Sequence, residues 1–296
     1  MSAADTSATA APNRPAPDKG AAAAGSKSGS TSDATERLPL SERLLRVPVL
    51  LPFLTFIILL IVWEAGTRLF SVPSYVLPAP SRIMLGFETV SAARWFEHVW
   101  ATLRVALMGY AVSFAISLPI AVGLAKSRLM SGAFYPLLVV IQSVPVVAVA
   151  PIIIVVLGTG DAPRVVITFM ISFFPLVVSM TTGLAATPPE LIELSRSLRA
   201  PSLREITQIR LPYATPYIFS GMKISITLSV IGAVVSEFVA ADKGIGYFIQ
   251  FSTSMFKLPQ AWAGLVILVV MSLVLFQIVS MTQRIFFPWS LPKGRA

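Results

Sequence analysis

Leu191, Leu194 and Leu198 recur at helical spacing between Glu193, Arg196 and Arg199, and three further charged groups, Arg204, Glu205 and Arg210, follow within a turn or two. This pattern suits contact with another surface rather than bond-making, because an apolar helical stripe flanked by charge is what docks into a groove. It equally suits a helix pair floating its bases at lipid headgroups. Other reactive groups are sparse. The 296-residue chain has no cysteine and one histidine, His98, which excludes thiol nucleophiles, thiolate metal sites and a His-paired zinc or catalytic centre within the chain. Gln142 and Ser143, just before Pro145, offer an amide and a hydroxyl inside an apolar run, either lining a path or hydrogen-bonding between helices. Glu237 and Glu64 lie near the ends of other apolar runs. There a carboxylate serves a polar path, pairs with a base, or sits at the headgroups with access to water.

Those residues are carried by long apolar stretches. The chain is 55% hydrophobic and only 12% charged, about half the charge of a soluble domain, and the deficit is concentrated in runs from Val47 onward. Six spans follow from the gaps between charges: Arg46 to Glu64, Arg104 to Lys126, Arg128 to Asp161, Arg164 to Glu190, about Pro216 to Ala240, and Lys257 to Arg284. The fold class expected is therefore all-α, a polytopic membrane protein of six transmembrane helices. Pro119, Pro145, Pro151 and Pro175 fall inside spans and should kink them, since neighbouring helices can satisfy the freed carbonyls. Three divisions follow: a disordered tail over 1–46, the membrane domain over 47–290, and a short tail over 291–296. Gly20 to Ser28 imitates a phosphate loop, but Lys27 comes one residue late and no strand precedes it, so the chain lacks the means to hydrolyse ATP.

Charge fixes an expected orientation. With the N-terminus in the cytoplasm, more than twice as many Lys and Arg fall in inside connectors as in outside ones. Both termini and the polar segment would then be cytoplasmic. The net charge of +9 is explained by this asymmetry, without nucleic acid as a partner. Within the segment, Thr187-Pro188-Pro189-Glu190 reads as a capping box opening a helix that Ala200-Pro201 stops. Ser202 and Glu205 open a second, with Leu203, Ile206 and Ile209 on its apolar side and an end at Leu211-Pro212.

The spacing Glu193-Leu194-Ser195, three residues, Arg199, nine residues, Ile209-Arg210-Leu211-Pro212 resembles the EAA loop of bacterial ABC importer permeases. Leu77-Pro78-Ala79-Pro80-Ser81, Pro145 to Pro151, Gly158 to Asp161, Ser236-Glu237, Gly244 to Tyr247 and Phe287-Pro288-Trp289 are similar to landmarks of the nitrate/sulfonate/taurine permease family. That resemblance implies a coupling-helix segment over 187–212 in which Glu193, Ser195, Arg196, Leu198 and Arg199 meet a cytoplasmic ABC ATPase. It also implies a homodimer, an extracytoplasmic solute-binding protein, the bacterial inner membrane, no cofactor, and import of a small sulfonate-, taurine- or nitrate-like solute. A vitamin or pyrimidine precursor is the alternative cargo. Gln142, Ser143 and Glu237 remain the candidates for the path. One departure stands out: the family's elbow glycine is Arg199 here, which must either adopt a left-handed conformation or sit in a rebuilt turn.

Three other classes compete, of which a plain channel would leave the capped polar segment unexplained. An ion-coupled secondary transporter would show a mid-span charged cluster or inverted repeats, and neither is visible. A membrane-embedded enzyme would need more titratable groups than these spans hold.

Overall fold

The structure, a computed structural model, describes residues 50–291, and the packed body begins at Thr55. The expectation for the 1–46 tail, the loop-like stretch at 20–28 and residues 292–296 lie outside the described residues. Among those described, regular structure is helical throughout: α1 (Leu50–Leu69), α2 (Pro80–Glu88), α3 (Ala92–Lys126), α4 (Arg128–Gln142), α5 (Val146–Leu157), α6 (Asp161–Ala185) and α7 (Pro189–Ser197). There follow α8 (Ser202–Ala240), α9 (Ile245–Ser254) and α10 (Leu258–Phe286), with a 3-10 turn at Pro288–Ser290. Helices α1, α3, α6, α8 and α10 are each long and apolar enough to cross a bilayer.

Small residues bring the central helices together. On α3, Thr102, Ala106, Gly109, Ser113, Ser117 and Ala121 are buried at spacings of three and four, which puts them on one face. Gly109 from α3 and Gly232 from α8 both close on Thr168 of α6, and a Cβ on Gly232 would lie 2.8 Å from the Thr168 Cα. Where lipid is as apolar as leucine, such close approach and its dispersion energy replace the hydrophobic drive. The Ser113 and Ser172 hydroxyls meet at 2.7 Å across the same seam. Val105, Val230, Leu268 and Met271 fill one apolar core between α3, α8 and α10, and Leu176, Met180, Leu184 and Ala214 fill another between α6 and α8.

The third span departs from expectation. Instead of one kinked helix, α4 and α5 meet at 90° across Ser143-Val144-Pro145. Pro145 takes the N-cap place of α5 rather than a position inside a helix, whereas Pro119, Pro151 and Pro175 lie within α3, α5 and α6. Two short helices were also not foreseen. The N-terminus of α2 is seated on Glu64, whose carboxylate accepts from the Ser81 N–H at 3.0 Å and the Ser81 hydroxyl at 2.7 Å while Arg68 Nε donates to it at 2.6 Å. This interaction gives Ser81 of the Leu77-to-Ser81 landmark its partner and makes Glu64 a brace between α1 and α2.

The second helix of the polar segment does not end at Leu211-Pro212 as its sequence suggests. It widens into a π turn over Ile206–Arg210 and continues as the long helix Leu211–Ala240. Pro212 has no N–H to give, and the widened turn, with the Leu211 N–H bonded to the Ile206 carbonyl, shifts the ladder around that gap. Ser202 begins this helix directly after Pro201 and makes no side-chain cap.

Candidate coupling surface and membrane cavity

The segment 187–212 forms a knob with a defined base. Thr187 does not cap α7. Pro188 occupies the N-cap place, and the Thr187 hydroxyl donates back to the Leu184 carbonyl at 3.1 Å. The far end of α7 closes as a Schellman motif, with the Ala200 N–H on the Ser195 carbonyl at 3.0 Å and the Arg199 N–H on the Arg196 carbonyl at 2.9 Å. Arg199 occupies the left-handed position with φ 53°, so the elbow keeps the turn that glycine usually makes, at a cost of about 1 kcal/mol. Ser71 after α1 and Phe256 after α9 hold the same position in the same motif, with φ of 49° and 56°.

The structure separates the five predicted docking residues. Glu193, Arg196, Leu198 and Arg199 are exposed, while Ser195 is buried in the knob. Leu191, Leu194, Leu198 and Leu203 are all exposed, an apolar rank edged by charge, whereas Ile206 turns inward. Arg210, buried, ties this surface to the spans. It pairs with Glu205 at 2.7 Å and its Nη1 donates to the Leu184 carbonyl at 3.4 Å, joining the start of α8 to the end of α6. Sequence reading did not single out this pair, because a separation of five residues brings side chains together only in a widened turn.

Within the membrane body, Gln142 borders a cavity of about 350 Å³ beside the α4–α5 break. Phe169, Phe173 and Phe174 of α6, Ile141 of α4 and Leu228 of α8 form much of its wall, and no charged residue lines it. Ser143 lies at the break itself and spends its hydroxyl on the Val139 carbonyl at 2.9 Å.

Glu237 is elsewhere, 1% exposed and enclosed by the protein. Its Oε2 accepts from the Gly246 N–H at 2.7 Å, at the start of α9, where a carboxylate is favoured by the helix dipole. A Cβ on Gly244 would collide with that carboxylate, and Gly244 also has φ 126°, so both the space and the backbone require glycine. Two groups from α3 complete the clasp: His98 Nδ1 accepts from the Gly244 N–H at 3.2 Å, and the Thr102 hydroxyl accepts from the Ile245 N–H at 2.8 Å. Outside the clasp, Arg164 donates to the Ala240 carbonyl at 3.0 Å, Arg104 pairs with Asp161, and Lys243 pairs with Glu97 at 2.7 Å. The hydrogen bond to Glu97 raises the Lys243 ammonium above its ordinary value. The Ser236-Glu237 and Gly244-to-Tyr247 landmarks are thus two halves of one contact.

This all-helical body, with its broken span and protruding knob, belongs to a membrane permease. The chain is a member of the family described as binding-protein-dependent transport system inner membrane component, which matches residues 113–290. It is 31% identical to the formylaminopyrimidine transport permease protein ThiX of Halalkalibacterium halodurans over 80% of this chain and 95% of that one. It is 26% identical to the putative aliphatic sulfonates transport permease protein SsuC of Bacillus subtilis, over 78% of this chain and 84% of that one. The fold is similar to a chain of the inward-facing MetNI methionine ABC transporter, with a TM-score of 0.56, 21% identity, and coverage of 63% of this chain and 93% of that one. The protein is a multi-pass transport permease of the ABC importer type.

Proposed function

We propose that the chain forms the translocation path of an ATP-driven importer whose hydrolysis is done by a separate cytoplasmic ATPase. Two copies assemble, and an extracytoplasmic solute-binding protein delivers the cargo. The knob and both termini face the cytoplasm, where Glu193, Arg196, Leu198 and Arg199 meet the ATPase while Ser195 packs the knob from within. The carrying observation is the exposed leucine rank on a knob whose base is fixed to two spans through Arg210. A surface that only floats at headgroups has no need of such rooting. Nucleotide-driven closure of the ATPase would move the knob and, through α6 and α8, exchange inward- and outward-open states.

The landmarks support a small sulfonate-, taurine- or nitrate-like cargo. A vitamin or pyrimidine precursor is the alternative cargo, in line with the 31% identity to the formylaminopyrimidine permease. The test is uptake into proteoliposomes holding the permease, its ATPase and its binding protein. Accumulation that requires all three and ATP supports the reading. Accumulation by the permease alone on an ion gradient would replace it with secondary transport.

A further inference from the structure

We propose that α1 and the loop after it hold one anionic phospholipid per copy, its phosphate between Arg68 and Arg82 and its chains along the Ile57-to-Ala65 face. The proposal goes beyond transport and needs only that the chain spans a membrane.

Two cavities that share Arg68 in their walls divide as a lipid does. The upper one, about 620 Å³, is lined by Arg68, Arg82, Ser71, Ser74 and Tyr75 among others, and by no acid among the described residues. The lower one, about 470 Å³, follows one face of α1 through Ile57, Leu60, Ile61 and Ala65, with Glu64 and Arg68 at its top. Residues at this spacing share a helical face. From Ile57 to Arg68 the helix rises about 16 Å, close to the depth of one leaflet's hydrocarbon. The lining therefore turns from apolar to charged in the last turn of an apolar span, where lipid phosphates lie.

The charge balance suits a single phosphodiester. Glu64 is already engaged by the Ser81 N–H, the Ser81 hydroxyl and Arg68 Nε. Arg82 is exposed and has no hydrogen bond or ion pair among the described residues, and the Ser71, Ser74 and Tyr75 hydroxyls are equally free. Two arginines against one glutamate leave a net charge of +1, which one phosphodiester cancels. The planar guanidinium fork also fits phosphate oxygens. The loop that carries these groups is fixed before any lipid arrives. Its Val72 N–H bonds to the Thr67 carbonyl at 3.0 Å, and its Leu77 N–H to the Pro73 carbonyl at 3.2 Å.

The surroundings favour a lipid over other occupants. Gly86 of α2 closes on Pro259 at the start of α10, Gln260 donates to the Thr89 hydroxyl at 2.9 Å, and Trp63 meets Trp262 with ring centroids 5.1 Å apart. The site thus lies toward the Glu237 end of the molecule, away from the knob. Helix α1 is the least buried of the five long spans. A soluble partner reaches only the upper cavity. An apolar helix from a second copy would fill the lower one and leave the arginines without an anion. A lipid meets both.

Native mass spectrometry of the purified full-length permease tests this, with equimolar phosphatidylglycerol and phosphatidylcholine of identical chains. The most tightly retained lipid should be phosphatidylglycerol by about fivefold, the effect of roughly one uncancelled charge beside an anionic lipid. Arg82→Gln should abolish that preference, and Arg82→Lys should keep most of it. Ala65→Phe, which fills the lower cavity, should reduce retention of both lipids. Equal retention of the two lipids by the unaltered protein overturns the site. Displacement of the lipid by glycerol 3-phosphate makes the upper cavity an anion site indifferent to chains, and overturns it too. Loss of the dimer with Ala65→Phe, at unchanged lipid retention, gives the face to a second copy and likewise overturns the proposal. None of these readouts involves ATP-driven uptake, so the importer reading is judged separately.

Discussion

Nε and Nη2 of Arg210 both reach Oε1 of Glu205 at 2.7 Å, at the point where the knob becomes the fifth span. The two side chains are 10% and 15% exposed, so the pair is largely withdrawn from water. Removing one partner strands the other charge, and Glu205→Ala should cost about 3–5 kcal/mol. Thermal unfolding of the purified permease measures this, and an unchanged midpoint would show that the pair does not hold the base of the knob.

Arg199 gives a prediction of opposite sign. Its φ of 53° is a glycine conformation, so Arg199→Gly should stabilise the elbow by about 1 kcal/mol. If Arg199 also meets the ATPase, uptake should fall although stability rises. Measuring both separates the turn from the contact, and a loss of stability would mean that the arginine makes interactions worth more than its backbone strain.

Leu198→Asp and Glu193→Lys alter residues that are exposed on the knob. Each should abolish ATP-driven uptake while the chain still inserts in the membrane at normal levels. Normal uptake with either substitution would remove the docking surface from the account.

Orientation is tested in this cysteine-free chain. Glu193→Cys should react with an impermeant maleimide only in inside-out vesicles, and Asp242→Cys, exposed beyond the other end of α8, only in intact cells. The reverse pattern would put the knob outside.

In the clasp, Gly244→Ala adds a methyl group into the Glu237 carboxylate and forces alanine to φ 126°. The backbone strain alone is of order 1–3 kcal/mol. Glu237→Gln keeps an acceptor for the Gly246 N–H and should be far milder. Limited proteolysis in detergent ranks the two, and equal behaviour would mean that the carboxylate is not what the glycines enclose.

The long spans were legible because bilayer thickness writes itself into the length of an apolar run. The break was not, because Pro145 looks like Pro119, Pro151 and Pro175 in sequence, and only packing decides which proline bends a helix and which ends it. The leucine rank of α7 was visible from its period. The passage of α8 through Pro212 was hidden, since the π turn that accommodates it leaves no compositional mark. Glu237 was noticed as an acid near the end of an apolar run, yet its partner Gly246 comes nine residues later across a turn, so neither residue alone announces the contact. The outcome at Arg199 was one of two that local backbone physics allowed, and the chain takes the strained one.

The continuity of Ser202–Ala240 has a mechanical consequence. Its 39 residues run about 58 Å along the helix, with the Arg210 pair near one tip and the Glu237 clasp near the other. Between the tips, Gly221 against Ser179 and Gly232 against Thr168 pinch it tightly to α6. A helix gripped along its middle would swing its tips in opposite directions, so a push on the knob would arrive at the clasp as a pull.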